Sequence, residues 1–362
     1  LREISSPTFC FSPAIRESAL EKPMPRNRKL GILIAALVAF HLLILFAGFF
    51  APYDPAAQNR DFAYAPPTRV HFRDESGFHL RPFVYTATSD LGSYSEDRSR
   101  RYLVRFFSRG DQYKILGLFS TDVHLIGVDA PGHIFLLGTD SYGRDEFSRL
   151  LYGGQISLAA GLLATLITLC AATIIGTISG FFGKLVDESL MGSAELFLAL
   201  PWFYFLVGVR AFLPLHLSAA STFFLIISVI GLIGWARPAR LIRGIVLSAR
   251  NRNYVLAARG FGASNFYLLR RHVLPETFGV LLTQAALLLP QYIAAEAVLS
   301  FFGLGIAEPV PSWGNMMSAL QQYNVLVSYY WLLAPACALL ITSVTYWLVA
   351  DAIHHWLQSH SI

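Results

Sequence analysis

The chain has 362 residues, 54% of them hydrophobic and only 14% charged, with a formal net charge of +5 and a mean hydropathy of +0.50. This balance excludes an ordinary soluble domain, whose surface needs charge. A net charge this modest is an orientation signal in lipid, not a nucleic-acid footprint. The three cysteines are Cys10, Cys170 and Cys337; two lie in apolar windows, so neither a disulfide scaffold nor a zinc site is indicated.

Residues 1–23 have no clear periodicity and read either as a disordered extension or as sequence ahead of a start at Met24. From Met24, "MPRNRKLGILI" sets a basic flank before an apolar run. Residues 1–29 are therefore expected as a cytoplasmic tail and 30–51 as a retained first span, too long for the usual h-region of a cleaved signal peptide. Further spans are expected at 156–182, 189–209, 217–236, 277–303 and 329–351. Spans three and four are separated by "RAFLPLH", where Arg210 and Pro214 mark a turn. "GTISG", Gly176 to Gly180, has the small-xxx-small spacing that lets helix backbones approach in lipid.

The segment 52–150 is too long for a plain connector. Within it, "VHFRDESGFHL" and "RYLVRFFSRGDQYKILGLF" each read as two short strands around a glycine-containing turn, so a small β-rich insert is expected. "LYGGQ", Leu151 to Gln155, resembles the phosphate-contacting signature of ABC ATPases. No G-x-x-x-x-G-K-[ST] accompanies it, so it is read as a turn entering the second span, in a chain that does not bind ATP.

Direction follows from charge. Arg237, Arg240, Arg243, Arg250, Arg252, Arg259, Arg270 and Arg271 lie between residues 237 and 275 without one acid, whereas "LGIAEPVPSWGNMMSALQQYNVLVS" has no Lys or Arg. The positive-inside rule puts the first stretch in the cytoplasm and the second outside. Both termini are then cytoplasmic and the insert external.

Polar groups inside the spans are the next candidates. Glu195 and Glu296 have long apolar flanks, and a charge at mid-membrane costs roughly 2.5–3.5 kcal/mol. Each is expected either to line a translocation path or proton relay, or to satisfy a polar group on a neighbouring helix. His41 is expected to bond to a neighbouring helix, and the adjacent His354 and His355 point about 100° apart, a poor metal pair. No nucleophile–base spacing supports an enzyme.

The most articulated segment is "NYVLAARGFGASNFYLLRRHVLP", residues 253–275. It reads as two short helices hinged at Gly262, with Ser264 as N-cap, Arg270, Arg271 and His272 in the last turn, and Pro275 as the stop. An ordinary basic loop held at anionic lipid explains the arginines. It does not explain the small residues and the glycine, which favour a docking element.

On these residues the chain resembles binding-protein-dependent ABC transporter permeases. Ala257, Ala258, Gly262, Ala263, His272, Leu274 and Pro275 match the cytoplasmic coupling loop called the EAA motif. "GTDSYGRDEFSRLLYGGQISL" (138–158), "LALP" (198–201), "LSFFGLG" (299–305) and "PSWGNM" (311–316) are similar to the dipeptide/oligopeptide branch. The likeness covers the first span and residues 138 to about 352.

The resemblance implies an all-α polytopic membrane protein of six type I spans, with the type I domain at 151–358, the coupling loop at 253–275 and the insert at 52–150. It implies a non-catalytic subunit without cofactor or metal, in a cell inner membrane. Its implied partners are a second homologous permease, two ATP-binding subunits, an extracytoplasmic substrate-binding protein and membrane lipid, with no nucleic acid. Ala257, Ala258, Arg259, Gly262, Ala263, His272, Leu274 and Pro275 would carry the ATPase contact, and Glu195 and Glu296 the path.

Two departures stand out. Leu256 occupies the place where the family usually has Glu, and the end "ADAIHHWL" keeps only Asp351 of a more charged pattern. The same machinery serves nickel, opine or sugar permeases, so cargo is open between these and peptide. A secondary transporter using Glu195 and Glu296, or a membrane scaffold, are the readings from other classes.

Overall fold

The computed structural model describes residues 26–75, 77–90, 93–115, 117–211 and 218–360. The tail before residue 26 and the Pro214 turn lie outside them. Helix α1 (Arg26–Leu45) is followed, after a break at Phe46, by one turn, α2 (Ala47–Phe50). A four-stranded antiparallel meander comes next: β1 (His71–Asp74), β2 (Gly77–Asp90), β3 (Ser93–Ile115) and β4 (Phe119–Val128).

The rest is helical: α3 (Glu146–Phe182), α4 (Lys184–Ala199), α5 (Trp202–Ala211), α6 (Ala219–Ile233), α7 (Ala236–Ala249), α8 (Asn253–Gly260), α9 (Asn265–Leu268), α10 (Phe278–Phe301), α11 (Trp313–Met316), α12 (Tyr323–Ser328) and α13 (Ala334–His360). Helices dominate because lipid offers no partner for a free N–H or C=O, and a helix satisfies both internally.

Three helical stretches, Glu146–Phe182, Asn265–Phe301 and Tyr330–Trp356, are long and apolar enough to cross a membrane, and α6 with α7, bent by 44°, makes a fourth. The other two expected spans are less regular. The first is the shorter apolar helix Leu30–Leu45. The third is split into α4 and α5 at Leu200–Pro201, where proline lacks the N–H a continuous helix needs.

α3 is the central strut, packing against α7, α10 and α6. The "GTISG" spacing acts as expected: a Cβ on Gly180 would lie 2.8 Å from Cβ of Val246, and one on Gly176 2.5 Å from the Ala239 carbonyl oxygen. Both glycines are what lets α7 seat against α3. On the other side, His41 of α1 meets the Tyr346 hydroxyl of α13 at 2.8 Å, the neighbouring-helix bond its position predicts.

Three local expectations are corrected. "LYGGQ" is not a turn but lies inside α3, which starts at Glu146 because the Asp145 side chain accepts from the Ser148 N–H at 2.8 Å and caps it. "RYLVRFFSRGDQYKILGLF" is not two short strands but mostly one long one, β3, with its glycine turn at Gly117 (φ +73°) near the end. Gly110 sits in the irregularity between Arg109 and Tyr113, where a Cβ would meet the His124 ring at 2.8 Å. Finally, the arginine-rich segment opens as a helix, α7, rather than a loop.

Candidate functional site

The basic segment forms an elbow anchored on the lower bundle. Val255, Leu268 and Val273 are fully buried in a cluster with Ala172, Phe181, Trp235 and Val246. Ala258 and Ala263 pack against its edge, since small side chains let the elbow backbone come close. Arg250 closes α7 and donates to the Gly180 and Phe181 carbonyls at 2.8 and 3.1 Å, satisfying acceptors that the end of α3 leaves open. Arg259 lies over the Phe181 ring, 5.6 Å from its centre.

Within the elbow, α8 ends and Gly262 takes φ +84°, a left-handed backbone that costs a β-carbon-bearing residue about 1–2 kcal/mol. Ser264 then caps α9, its hydroxyl accepting from the Tyr267 N–H at 3.3 Å. Both features are as the sequence predicts. Pro275 is not a stop: it sits in a single turn, Leu274–Thr277, that runs into α10. A proline in the opening turn of a helix removes an N–H that had no partner there.

The two arms are tied at their base. Arg252 and the Tyr254 hydroxyl both donate to Oε1 of Glu276, at 2.9 and 2.8 Å. His272 lies between the rings of Tyr254 and Tyr267, with centroids 5.7 and 5.6 Å away. Glu276, one residue past the segment singled out from sequence, is a functional candidate that sequence reasoning missed. Its signal was the first acid after a long arginine run.

The outer surface of the elbow is apolar as well as basic. Phe261 is 93% exposed and Phe266 73%, with Leu256 beside them at 47%. Ala257, Arg259 and Gly262 are also exposed, while His272 and Leu274 are half-buried. Exposed aromatics of this size on an anchored element mark a protein or membrane interaction site. Phe261 and Phe266 were not singled out from sequence, because an aromatic in an apolar chain carries no sign of which way it points.

The carboxylates of the spans are not brought together. Glu195 is exposed and bonded to Arg240 at 3.0 Å. Glu296 is buried and accepts from Ser157 and Ser300 at 2.7 and 2.6 Å. Each satisfies a neighbouring polar group. A cleft of about 320 Å³ opens between α4, α5, α6, the start of α7 and α10, walled by Phe197, Trp202, Arg237, Gln291 and Tyr292; neither carboxylate lines it.

Asp187, on α4, receives both Arg243 and Ser179. At the opposite end of α3, Arg144 and Arg149 converge on Glu308: Arg144 Nη1 donates at 2.6 Å and Arg149 Nη2 at 2.9 Å. This cluster, also missed from sequence, ties the start of α3 to the chain after α10.

The chain is thus a multi-pass helical membrane protein with an anchored, basic, glycine-hinged elbow that presents apolar side chains. Residues 172–360 match the family described as binding-protein-dependent transport system inner membrane component, and the chain belongs to that family. The dipeptide transport system permease protein DppC of Bacillus subtilis is 35% identical over 222 residues, covering 61% of this chain and 67% of that protein. The oligopeptide transport system permease protein OppC of the same organism is 36% identical over 253 residues, covering 70% and 78%. OppC of Haemophilus influenzae is 34% identical over 228 residues, covering 62% and 70%.

Proposed function

We propose that this chain is one permease subunit of an ATP-driven, binding-protein-dependent importer of di- and oligopeptides, non-catalytic itself, with ATP hydrolysis on partner subunits. The peptide cargo rests on what the relatives are named for. In this reading six spans cross an inner membrane: α1, α3, α4 with α5, α6 with α7, α10 and α13. Both termini and the elbow are cytoplasmic, and the sheet faces outward toward a substrate-binding protein. A second permease completes the path, with the cleft beside Trp202 and Tyr292 as this subunit's share. Glu296 stiffens its wall and Glu195 is the carboxylate open to the solute or the second permease.

One observation supports the coupling role above others: the elbow is clamped on its inner side and bare on its outer side. Val255, Leu268 and Val273 fix it to the bundle, and the Glu276 tie keeps its arms together, so it moves with α7 and α10 as a lever. Phe261, Phe266 and Leu256 face an ATPase groove, with Ala257, Ala258, Arg259, Gly262, Ala263, His272, Leu274 and Pro275 shaping the contact. Because Leu256 replaces the family's usual acid, that contact rests on apolar packing. Closure of the ATPase dimer moves the lever and opens the spans alternately to each side.

The test is Gly262→Val in the reconstituted complex. No atom lies within 4 Å of a Cβ placed at Gly262, so the change strains only the backbone. The protein should remain in the membrane, with peptide uptake and stimulated ATPase activity both reduced. Unchanged uptake would remove the lever role.

A further inference from the structure

The sheet reaches down onto the helices. Tyr113 of β3 packs so close to Gly48 of α2 that a Cβ there would collide with its ring. The buried His124 of β4 places its ring nitrogens 2.5 Å from the Ala51 carbonyl and 2.8 Å from that of Asp111. This holds the β3–β4 hairpin against α2 and its C-cap, with its tip beside α1 and α3. Leu118 and Phe119 at that tip are 77% and 71% exposed, a display that suits an acyl boundary and not water.

Beneath the tip runs a groove of about 750 Å³, with Lys114 and Gly117 at its mouth and α1, α3, Leu289 and Tyr346 as its walls. Along α1 it extends from Leu45 to Leu37, a rise of about 12 Å. Its walls are mostly aliphatic, and its polar groups are already engaged. Gln155 donates to the Ile44 and Leu45 carbonyls at 3.0 Å each, and His41 is held by Leu37 and Tyr346. Lys114 is exposed, and among the described residues it enters no ion pair. The groove therefore has one cation at the mouth and hydrocarbon below.

We propose that this groove is a binding site for an anionic phospholipid of the leaflet on the side of the sheet, one acyl chain lying along Leu37 to Leu45 and the phosphate paired with the Lys114 ammonium. Charge complementarity selects this occupant over an apolar helix of a partner subunit, which would bury Lys114 without a counter-charge. The sheet thereby becomes a lipid-held brace for α1. The inference needs only that α1 and α3 lie in the membrane and is independent of the cargo and of the direction of transport.

The experiment uses the full complex in vesicles of mixed phosphatidylglycerol and phosphatidylcholine, each lipid in turn carrying a photoactivatable acyl chain, with labelled peptides mapped by mass spectrometry. Labelling of 37–45 and 155–162 should favour phosphatidylglycerol about fivefold, with the preference retained in Lys114→Arg and abolished in Lys114→Glu. Equal labelling by the two lipids in the unmodified chain would overturn the proposal. So would a preference that survives Lys114→Glu, or crosslinking of a photoreactive residue at Leu42 to the second permease instead of to lipid.

Discussion

Arg149 and Glu308 lie 159 positions apart in the chain, yet the Arg149 guanidinium donates to Glu308 at 2.9 Å. The arginine side chain is 1% exposed and the glutamate 44%. Arg149 also reaches the Pro55 carbonyl at 3.3 Å, and Arg144 joins from the same side. Asp140 also pairs with both arginines, at 2.6 Å from Arg144 and 3.7 Å from Arg149, and Glu308 adds the link that fastens the loop after α10 to the start of α3.

Removing that carboxylate leaves Arg149 buried and short of its strongest acceptor. Glu308→Ala is expected to destabilise by about 1.5–3 kcal/mol, the range for hydrogen bonds to charged groups. Replacing a fully buried partner would cost more. Heat unfolding of the purified protein measures it, and Arg149→Met made together with Glu308→Ala should recover part of the loss. An unchanged midpoint in Glu308→Ala would show the cluster to be incidental.

Phe261 supports no core, so Phe261→Ser should leave stability within about 0.5 kcal/mol. If the elbow docks through apolar packing, the same change should weaken ATPase binding and the coupling of hydrolysis to uptake. Leu256→Glu, which restores an acid where the resembled family has one, should be tolerated in the folded protein because Leu256 is already half exposed. Co-purification of the ATPase subunits and transport in vesicles read both.

Glu296 distinguishes a structural from a proton-carrying role. Glu296→Gln keeps an acceptor for one serine and should support near-normal uptake. Glu296→Leu strands Ser157 and Ser300 and should destabilise by about 1–3 kcal/mol. Loss of uptake in a stable Glu296→Gln protein would instead point to proton coupling.

Asp145 gives a pH signature. Its burial pushes the carboxyl up to about 7 from an ordinary 3.8, against the opposing hydrogen bonds from Ser148. The folded state then holds the proton more tightly than the unfolded chain does. Stability from this group is fullest below the unfolded value and is lost as pH rises toward and through the folded one. Thermal stability should therefore fall between about pH 4 and 7, and Asp145→Asn, which keeps a capping oxygen, should flatten that slope.

Much of the elbow was legible from residues alone because its determinants are local. Gly262 is needed for a left-handed turn and Ser264 for an orphan N–H, and both act within three residues. Gly176 and Gly180 were legible as a close-packing face for the same reason. The expected split of residues 101–119 into two short strands failed because two glycines stood within one candidate hairpin. The choice was made by the His124 ring, which arrives from another strand. "LYGGQ" failed likewise: its glycines look like a turn, but they serve an α3 whose cap lies upstream at Asp145.

The sequence by itself determined that this is a helical membrane chain with a basic hinged elbow, since span length, proline breaks, caps and left-handed turns are fixed by neighbours along the backbone. Only the tertiary structure decided that Val255 points in while Leu256 and Phe261 point out, that Arg149 finds Glu308, that Glu296 is closed in by serines, and that Lys114 stands over an aliphatic groove. Those outcomes depend on which helix faces come together in space, and a side chain's partner across that distance leaves no mark in the residues beside it.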